Sequence, residues 1–258
     1  MKTLQASARP APLVWLAVVA LAASPLLASA GDLSATYRGK PVPFGQGRAH
    51  TEVRTDAAGK AVAVGIVFSE QALAGLPAAT MAPAYLLRMP ATGPRTVVDH
   101  VVINWEAAGH PPPKVYDVPH FDFHFYLVKR AETKRVRFGS DAESGEASQQ
   151  PPAELLPAGY VVPPGTAVPM MGVHAINTQA AEFQQQPFTA TLIYGYYNKV
   201  QTFIEPMVSL SFLLSKPAFS APVPRPAIYS KAGSYPAGYS VNYRPASKDY
   251  EVMLEALQ

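Results

Sequence analysis

Proline recurs through this chain so closely that long helices have nowhere to form. There are 27 prolines in 258 residues, 24 of them after residue 30. Proline lacks an N–H and clashes with the turn before it, so it is kept out of helix interiors and central strands. Regular elements must therefore be short and lie between prolines. Most of the intervening segments have the pattern of strands. Residues 48–55 and 60–68 read as a hairpin turning at Ala57-Ala58-Gly59, and 84–89, 96–105 and 119–130 read as extended. Residues 188–197 and 200–214 read as two strands joined by a tight turn at Asn198-Lys199, and Pro206 predicts a bulge or an edge in the second. Only residues 69–76 suggest a helix, with Ser69 as its cap. Polar residues 131–152 predict a surface excursion. Residues 215–248, rich in Pro, Ser, Tyr and Gly, predict an ordered surface wrap, and residues 250–257 suit either a strand or a short helix. The expected fold is all-β, a sandwich or barrel of short antiparallel strands with one minor helix and long Pro-rich loops.

The first thirty residues carry a different message. Lys2 and Arg9 precede an apolar run over residues 13–27, which ends in Ala28-Ser29-Ala30. A positive start, an apolar stretch and a small-x-small site predict a secretory signal peptide over residues 1–30. The expectation is a single β domain over 31–258, exported to a periplasmic or extracellular space and free of the membrane after cleavage. The leader holds two basic residues and no acid, so residues 31–258 carry 19 Lys and Arg against 18 Asp and Glu, a net charge of +1. With no basic tract interleaved with aromatics, nucleic acid is not expected as a partner. The chain has no cysteine, which excludes thiolate metal sites and Cys nucleophiles. A metal would need His, Asp or Glu.

The stretch 118–128, VPHFDFHFYLV, puts two chemistries on one strand. Alternate side chains of a strand point to opposite faces. Phe121, Phe123 and Phe125 therefore share a core face, continued by Leu127. His120, Asp122, His124 and Tyr126 share the other, which suits the inside of a barrel or a cleft. Neighbours on one face sit ~6.6 Å apart along the strand and the next pair ~13 Å apart. A straight strand thus favours His120 with Asp122, or Asp122 with His124, and both histidines share one ion only if the chain bends. Pro119 would allow a bend at that end. Otherwise Asp122 would orient an imidazole rather than bind the ion.

Further ligands must come from elsewhere. His174 follows the Pro- and Gly-rich run 163–172, His110 lies just upstream in WEAAGHPPP, and Glu205 interrupts an otherwise apolar strand. The expected ligands of a divalent ion, zinc or similar, are His120, His124 and His174. Asp122, Glu205 and His110 would be ligands or support them, and Tyr126 would line a pocket. His50 and His100 read as surface or structural. Glu106 and His110 lie four apart but lack the second histidine of H-E-x-x-H. No Gly-rich phosphate loop and no G-x-S-x-G is present, so no catalytic residue is assigned.

Three stretches, HPPPKVYDVPHFDFHFYLV (110–128), VPMMGVHAIN (168–177) and FIEPMVSLSFLL (203–214), together resemble a family of secreted bacterial β-proteins classed as a domain of unknown function. That resemblance would run from about residue 35 to the end, and it departs at Pro111, where the family pattern implies an acid. Gly165, Pro169, Gly172, His174 and Asn177 also resemble the second motif of cupins, which implies a metal-ligating role for His174. The His-x-Asp-x-His spacing differs from the first cupin motif. It also differs from the paired histidines of all-β carbonic anhydrases, so carbon dioxide hydration is not implied.

Two functions are consistent with these residues. One is an exported β-protein whose His/Asp/Glu metal site acts on a small molecule, an open coordination position supporting hydrolysis or a related reaction. The other is a non-enzymatic binding or scaffold protein, in one form a closed homo-oligomer, in which the His/Asp row is a buried hydrogen-bond network. An acid–base site built on His124 and Asp122 without metal is a third arrangement, without a nucleophile to go with it.

Overall fold

The computed structural model describes residues 34–78, 84–139, 144–145 and 149–258. The expected signal peptide lies outside the described residues. Fourteen strands run in chain order: β1 Thr36–Arg38, β2 Val42–Phe44, β3 Gly47–Thr55, β4 Ala61–Ser69, β5 Ala84–Arg88, β6 His100–Glu106, β7 His120–Tyr126, β8 Tyr160–Val161, β9 Val173–Asn177, β10 Ala190–Tyr197, β11 Val200–Ser209, β12 Ala218–Pro222, β13 Gly238–Arg244 and β14 Asp249–Glu255. Two short helices, α1 Arg130–Thr133 and α2 Leu210–Leu214, and a few 3₁₀ turns complete the described elements. The strands form two antiparallel seven-stranded sheets. One has the order β1-β3-β4-β14-β13-β12 with β2 also paired to β3, and the other has the order β5-β6-β7-β11-β10-β9-β8. Both sheets are open, so the all-β fold is a sandwich and not a closed barrel.

The core lies between the sheets. Phe121, Phe123 and Phe125 of β7 are fully buried there, with Val101 and Ile103 of β6 and Ile204 and Val208 of β11. Val64, Ile66 and Phe68 of β4 and Val252 and Leu254 of β14 face them from the other sheet. Phe68 stacks on Phe123 with ring centroids 6.0 Å apart, and Phe44 meets the edge of Phe121 at 5.5 Å. Such contacts add ~0.5–1.5 kcal/mol each beyond the area they bury.

Several local expectations need correcting. The segment after Ser69 is a 3₁₀ turn, Glu70–Leu73, and Ser69 makes no side-chain cap; its hydroxyl accepts from the Arg48 N–H instead. Residues 215–248 are not only a surface wrap, because β12 and β13 lie within them and extend the first sheet. Pro222 is tolerated there because β12 is the sheet edge, where a missing N–H breaks no ladder. Pro206 stands in a central strand, not an edge. The β7–β11 ladder pairs Phe203 and Ile204, then resumes at Met207 beyond the proline. The bulge lies elsewhere, where β10 shifts register against β11 between Gly195 and Tyr196. Residues 250–257 resolve as a strand, β14. Asn198 and Lys199 both adopt left-handed backbone, as a tight hairpin turn requires.

The outer face of the first sheet carries a charged network centred on Glu52. Its carboxylate pairs with Arg38 at 2.9 Å, Arg54 at 2.9 Å and His50 at 3.3 Å, while Arg54 also contacts Glu251. Burial alone would raise the Glu52 carboxyl, but the bonds from His50, Arg54 and Arg38 outweigh it and hold it at about 2, against an ordinary 4.5. A carboxyl lowered by folding stabilises above its unfolded value and loses that contribution as pH falls from 4.5 towards 2. Glu52→Gln should therefore cost about 1–2 kcal/mol at pH 7, after allowance for solvent screening of its arginine partners. Urea unfolding at pH 7 and pH 3 checks this: the gap between wild type and variant should narrow at pH 3.

Candidate metal centres

The polar face of β7 is the outer face of the second sheet, not the interior of a barrel. It is nevertheless buried: His120 is 0 %, Asp122 5 % and His124 1 % exposed. An apolar cover explains this. Tyr116, Phe188, Ile176, Ile193 and Met207 form a second small core on that face, with Val115 and Phe183 packed against it. Tyr116 donates to Glu182 at 3.0 Å and ties the 107–119 loop to the turn at residues 181–184.

Register decides which residues meet. Across the second sheet His100 lies opposite Tyr126, Tyr126 opposite Phe203, Phe203 opposite Gly195, and Gly195 opposite His174. Residues opposite one another share a face. The next row holds Val102 and His124, followed on β11 by Glu205, which pairs with Ile193. Beyond it come Asn104, Asp122 and Met207, then Glu106, His120 and Ser209.

The six candidates form two trios. The first is His110, His120 and Asp122; the second is His124, His174 and Glu205. Within each trio one donor atom per residue lies within 4.8 Å of the others. The arrangement expected from the sequence, with His120, His124 and His174 around one ion, is corrected: His120 falls in one trio and the other two histidines in the second. β7 does not bend enough to bring positions 120 and 124 together. Asp122 stands with His110 and His120, and Glu205 bridges His124 and His174.

In the first trio His120 Nε2 lies 3.2 Å from one Asp122 oxygen and His110 Nε2 lies 3.7 Å from the other. In the second, Glu205 Oε2 lies 3.4 Å from His124 Nε2 and 4.0 Å from His174 Nε2. Three rings are fixed from behind. Nδ1 of His110, His120 and His174 lies 2.8, 2.7 and 2.8 Å from the carbonyls of Pro111, Val118 and Thr166. A carbonyl only accepts, so each Nδ1 donates and, in the neutral ring, the Nε2 lone pair is left facing the carboxylate. At His120 and His174 lone pairs then face lone pairs, while neither ring nitrogen of His124 has a hydrogen-bond partner. His120 Nε2, Asp122 Oδ1, His124 Nε2 and Glu205 Oε2 are all buried without a hydrogen-bond partner. Such a set calls for a cation or a proton between its members. An ion with ligand bonds of ~2.1 Å spaces adjacent donors by ~3–3.5 Å, close to the shorter separations seen.

The trios differ electrically. Burial would lower His110, but the hydrogen bond and charge of Asp122 outweigh it and raise the ring to about 9. Burial would raise Asp122, but His110 and His120 hold it well below the usual carboxylate range. In the second trio burial dominates. It lowers His124 to about 3 and lowers His174, and it pushes Glu205 well above its ordinary value with help from Asp122 and Glu106. The first trio thus holds charge by itself, while the second is neutral without an ion.

Tyr126 packs beside the second trio, its ring 5.8 Å from that of His124, and its hydroxyl faces the Met170 carbonyl at 3.5 Å. Two cavities, of about 270 and 390 Å³, lie at the end of the sandwich around Lys231, and neither Tyr126 nor any trio residue lines them. His100 is buried and structural, stacked on Tyr126 at 4.6 Å and bonded to Asp99 at 2.9 Å. Asn104 escaped sequence reasoning, and Glu106 was weighed only with His110 at helical spacing. Their shared parity with His100 and Val102 was a usable signal, but the register of β6 on β7 was not.

The class of protein is therefore an antiparallel β-sandwich with two buried His₂–carboxylate clusters beneath an apolar loop cover. A family model described as "TTHB210-like: Hypothetical protein TTHB210" matches residues 56–105. This is a likeness to an uncharacterised family over the stretch from the end of β3 to β6, and it includes none of the six trio residues. Comparison with curated proteins and with solved structures found no match.

Proposed function

We propose that this chain is an exported protein that holds divalent cations in the two trios, binding them rather than turning over a large substrate. The observation that carries this reading is the set of buried, unpartnered Nε2 and carboxylate oxygen atoms aimed at one another. Leaving such groups unpaired costs several kcal/mol, and a cation relieves it. His120, Asp122, His124 and Glu205 are buried, and no trio residue lines either cavity at residue 231; both favour holding the ion over presenting it. An ion in either trio would supply Lewis acidity and an activated water to any small molecule that reached it. The likeness of 110–128, 168–177 and 203–214 to secreted β-proteins supports export alone, and that of 165–177 to cupins supports a ligand role for His174.

Metal analysis of the purified chain, after reconstitution with Zn²⁺, tests it. The expected result is stoichiometric metal that falls by one ion per chain in His124→Ala. Absence of stoichiometric metal in the wild type would overturn the proposal.

One observation favours a second reading for the first trio. Asp122 well below its ordinary range beside His110 at about 9 is an ion pair that can satisfy itself without metal. The protein would then be a binding or scaffold protein, a homo-oligomer in one form of this reading. His110→Gln would lower stability and leave the metal content unchanged, and light scattering would report the assembly.

A further inference from the structure

We propose that the first trio is the inner part of a five-donor, oxygen-rich centre for a hard, octahedral divalent ion of the Mn²⁺ type, while the second remains a three-donor site of the zinc type. This rests on the reading that the trios bind cations. Two residues of β6 carry it. Asn104 stands opposite Asp122 in the ladder, and Glu106 stands opposite His120. Cross-strand partners share a face with Cβ atoms ~4.5–5.5 Å apart. The strand therefore delivers an amide and a carboxylate to the space the trio already faces.

Asn104 supplies the independent observation. Its side chain is buried, at 6 % exposure, and its Oδ1 has no hydrogen-bond partner. That oxygen can only accept. The facing Asp122 Oδ1 is also an acceptor, buried and unpartnered. Both oxygens are acceptors, so neither can satisfy the other. A cation between them satisfies both. Glu106 is half-buried at the rim of the same row, placed to add a second negative charge.

The full donor set is two imidazole nitrogens, from His110 and His120, and oxygens from Asp122 and Asn104, with the Glu106 carboxylate, which stands outside the 4.8 Å trio, joining them by a side-chain rotation. His110, the most exposed of the trio histidines at 34 % of its side chain, marks the side where water would complete the shell. Oxygen-rich six-coordinate sets suit Mg²⁺, Ca²⁺ and Mn²⁺, and imidazole donors turn the preference away from the first two. Among the described residues the second trio has no such extension. Val102 stands opposite His124, and Ile193 opposite Glu205. Apolar neighbours leave it two nitrogens and one carboxylate, the ligand set of a zinc site with an open position.

The full chain, stripped of metal, is titrated with Mn²⁺ while the electron paramagnetic signal of the free ion is followed, and Zn²⁺ binding is measured in parallel by calorimetry. One Mn²⁺ per chain is expected. Its affinity should fall at least tenfold in Glu106→Gln and in Asn104→Leu, and stay unchanged in His174→Ala. Asn104→Asp should bind Mn²⁺ more tightly than wild type, which separates a ligand role from a packing defect in the leucine variant. Mn²⁺ binding that survives the β6 substitutions, or that disappears in His174→Ala instead, overturns the proposal. If Zn²⁺ binds but Mn²⁺ does not, the five-donor assignment fails and the metal reading beneath it stands. If neither ion binds, both fall.

Discussion

Gly195→Ala is expected to unfold the protein at markedly lower denaturant and to empty the second trio while sparing the first. Gly195 lies between Phe203 and His174 in the cross-strand row. A Cβ there would meet three atoms of the Phe203 ring at 2.1, 2.2 and 2.5 Å. No side chain tolerates that approach, so the ring must move. Phe203 is fully buried and cannot swing into solvent. It packs edge-on against His124 with centroids 4.8 Å apart, and lies 5.2 Å from His174 and 5.5 Å from Tyr126. The ring is thus the spacer that sets how far apart the two histidines stand. Overpacking a well-filled site costs ~1–3 kcal/mol and sometimes more, and pushing the Phe203 ring away from its aromatic neighbours adds to it. We expect a loss of about 3 kcal/mol, together with a fall in Zn²⁺ affinity of at least tenfold. Mn²⁺ binding at His110, His120 and Asp122 should hold, because Asp122 and His120 lie two and three rows away. Equilibrium unfolding and metal titration of one purified variant check both. A variant of wild-type stability would mean that the row is not packed as described. Equal loss of both metals would mean that the trios are not separate.

Much of this was legible in the chain before any coordinates. The alternation in 120–126 placed three Phe in the core and four polar groups opposite, because a strand's period of two leaves no other sorting. His174, Glu205 and His110 stood out because each interrupts a context that otherwise explains itself. What the sequence did not carry was register. Whether Glu205 meets His124 or Asp122 depends on how β11 slides along β7, and a shift of two residues exchanges the partners. The two strands are separated by more than seventy residues, and no local signal fixes that slide. The same ignorance hid Asn104 and the pairing of Glu106 with His120, since their strand was recognised but its partners on β7 were not. Proline misled in both directions. Pro206 sits in a central strand at the cost of ladder pairs to β7, and Pro222 closes an edge strand in a stretch that reads by composition as loop. Composition reports what a residue prefers on average, whereas the sheet needs only that its missing N–H face a gap or an edge.

Glu205→Gln should have opposite effects on the two forms of the protein. Without metal, Glu205 is 1 % exposed, its Oε2 has no partner, and it lies 3.4 Å from His124 Nε2 and 4.0 Å from His174 Nε2. His174 Nε2 offers only a lone pair, because its Nδ1 donates to the Thr166 carbonyl, and a His124 ring kept neutral by burial brings no charge to balance a carboxylate. A carboxylate there is an uncompensated buried charge, and a carboxyl kept neutral must take up a proton that the unfolded chain would release at neutral pH. Both routes cost stability. The glutamine amide has nearly the same shape, carries no charge, and can donate its N–H to His124 Nε2, 3.4 Å from the oxygen it replaces. The metal-free variant should therefore be more stable than wild type by about 1–2 kcal/mol. With zinc the order reverses. A neutral amide oxygen is a poor ligand, and two imidazoles alone leave a divalent charge unbalanced in a dry site. A hundredfold loss of affinity removes ~2.7 kcal/mol of ligand-linked stability at saturating metal. Melting temperatures of both proteins, with chelator and with excess Zn²⁺, give four values whose crossing is the expected result. If the substitution lowers stability equally with and without zinc, Glu205 is a packing residue and the second trio holds no ion.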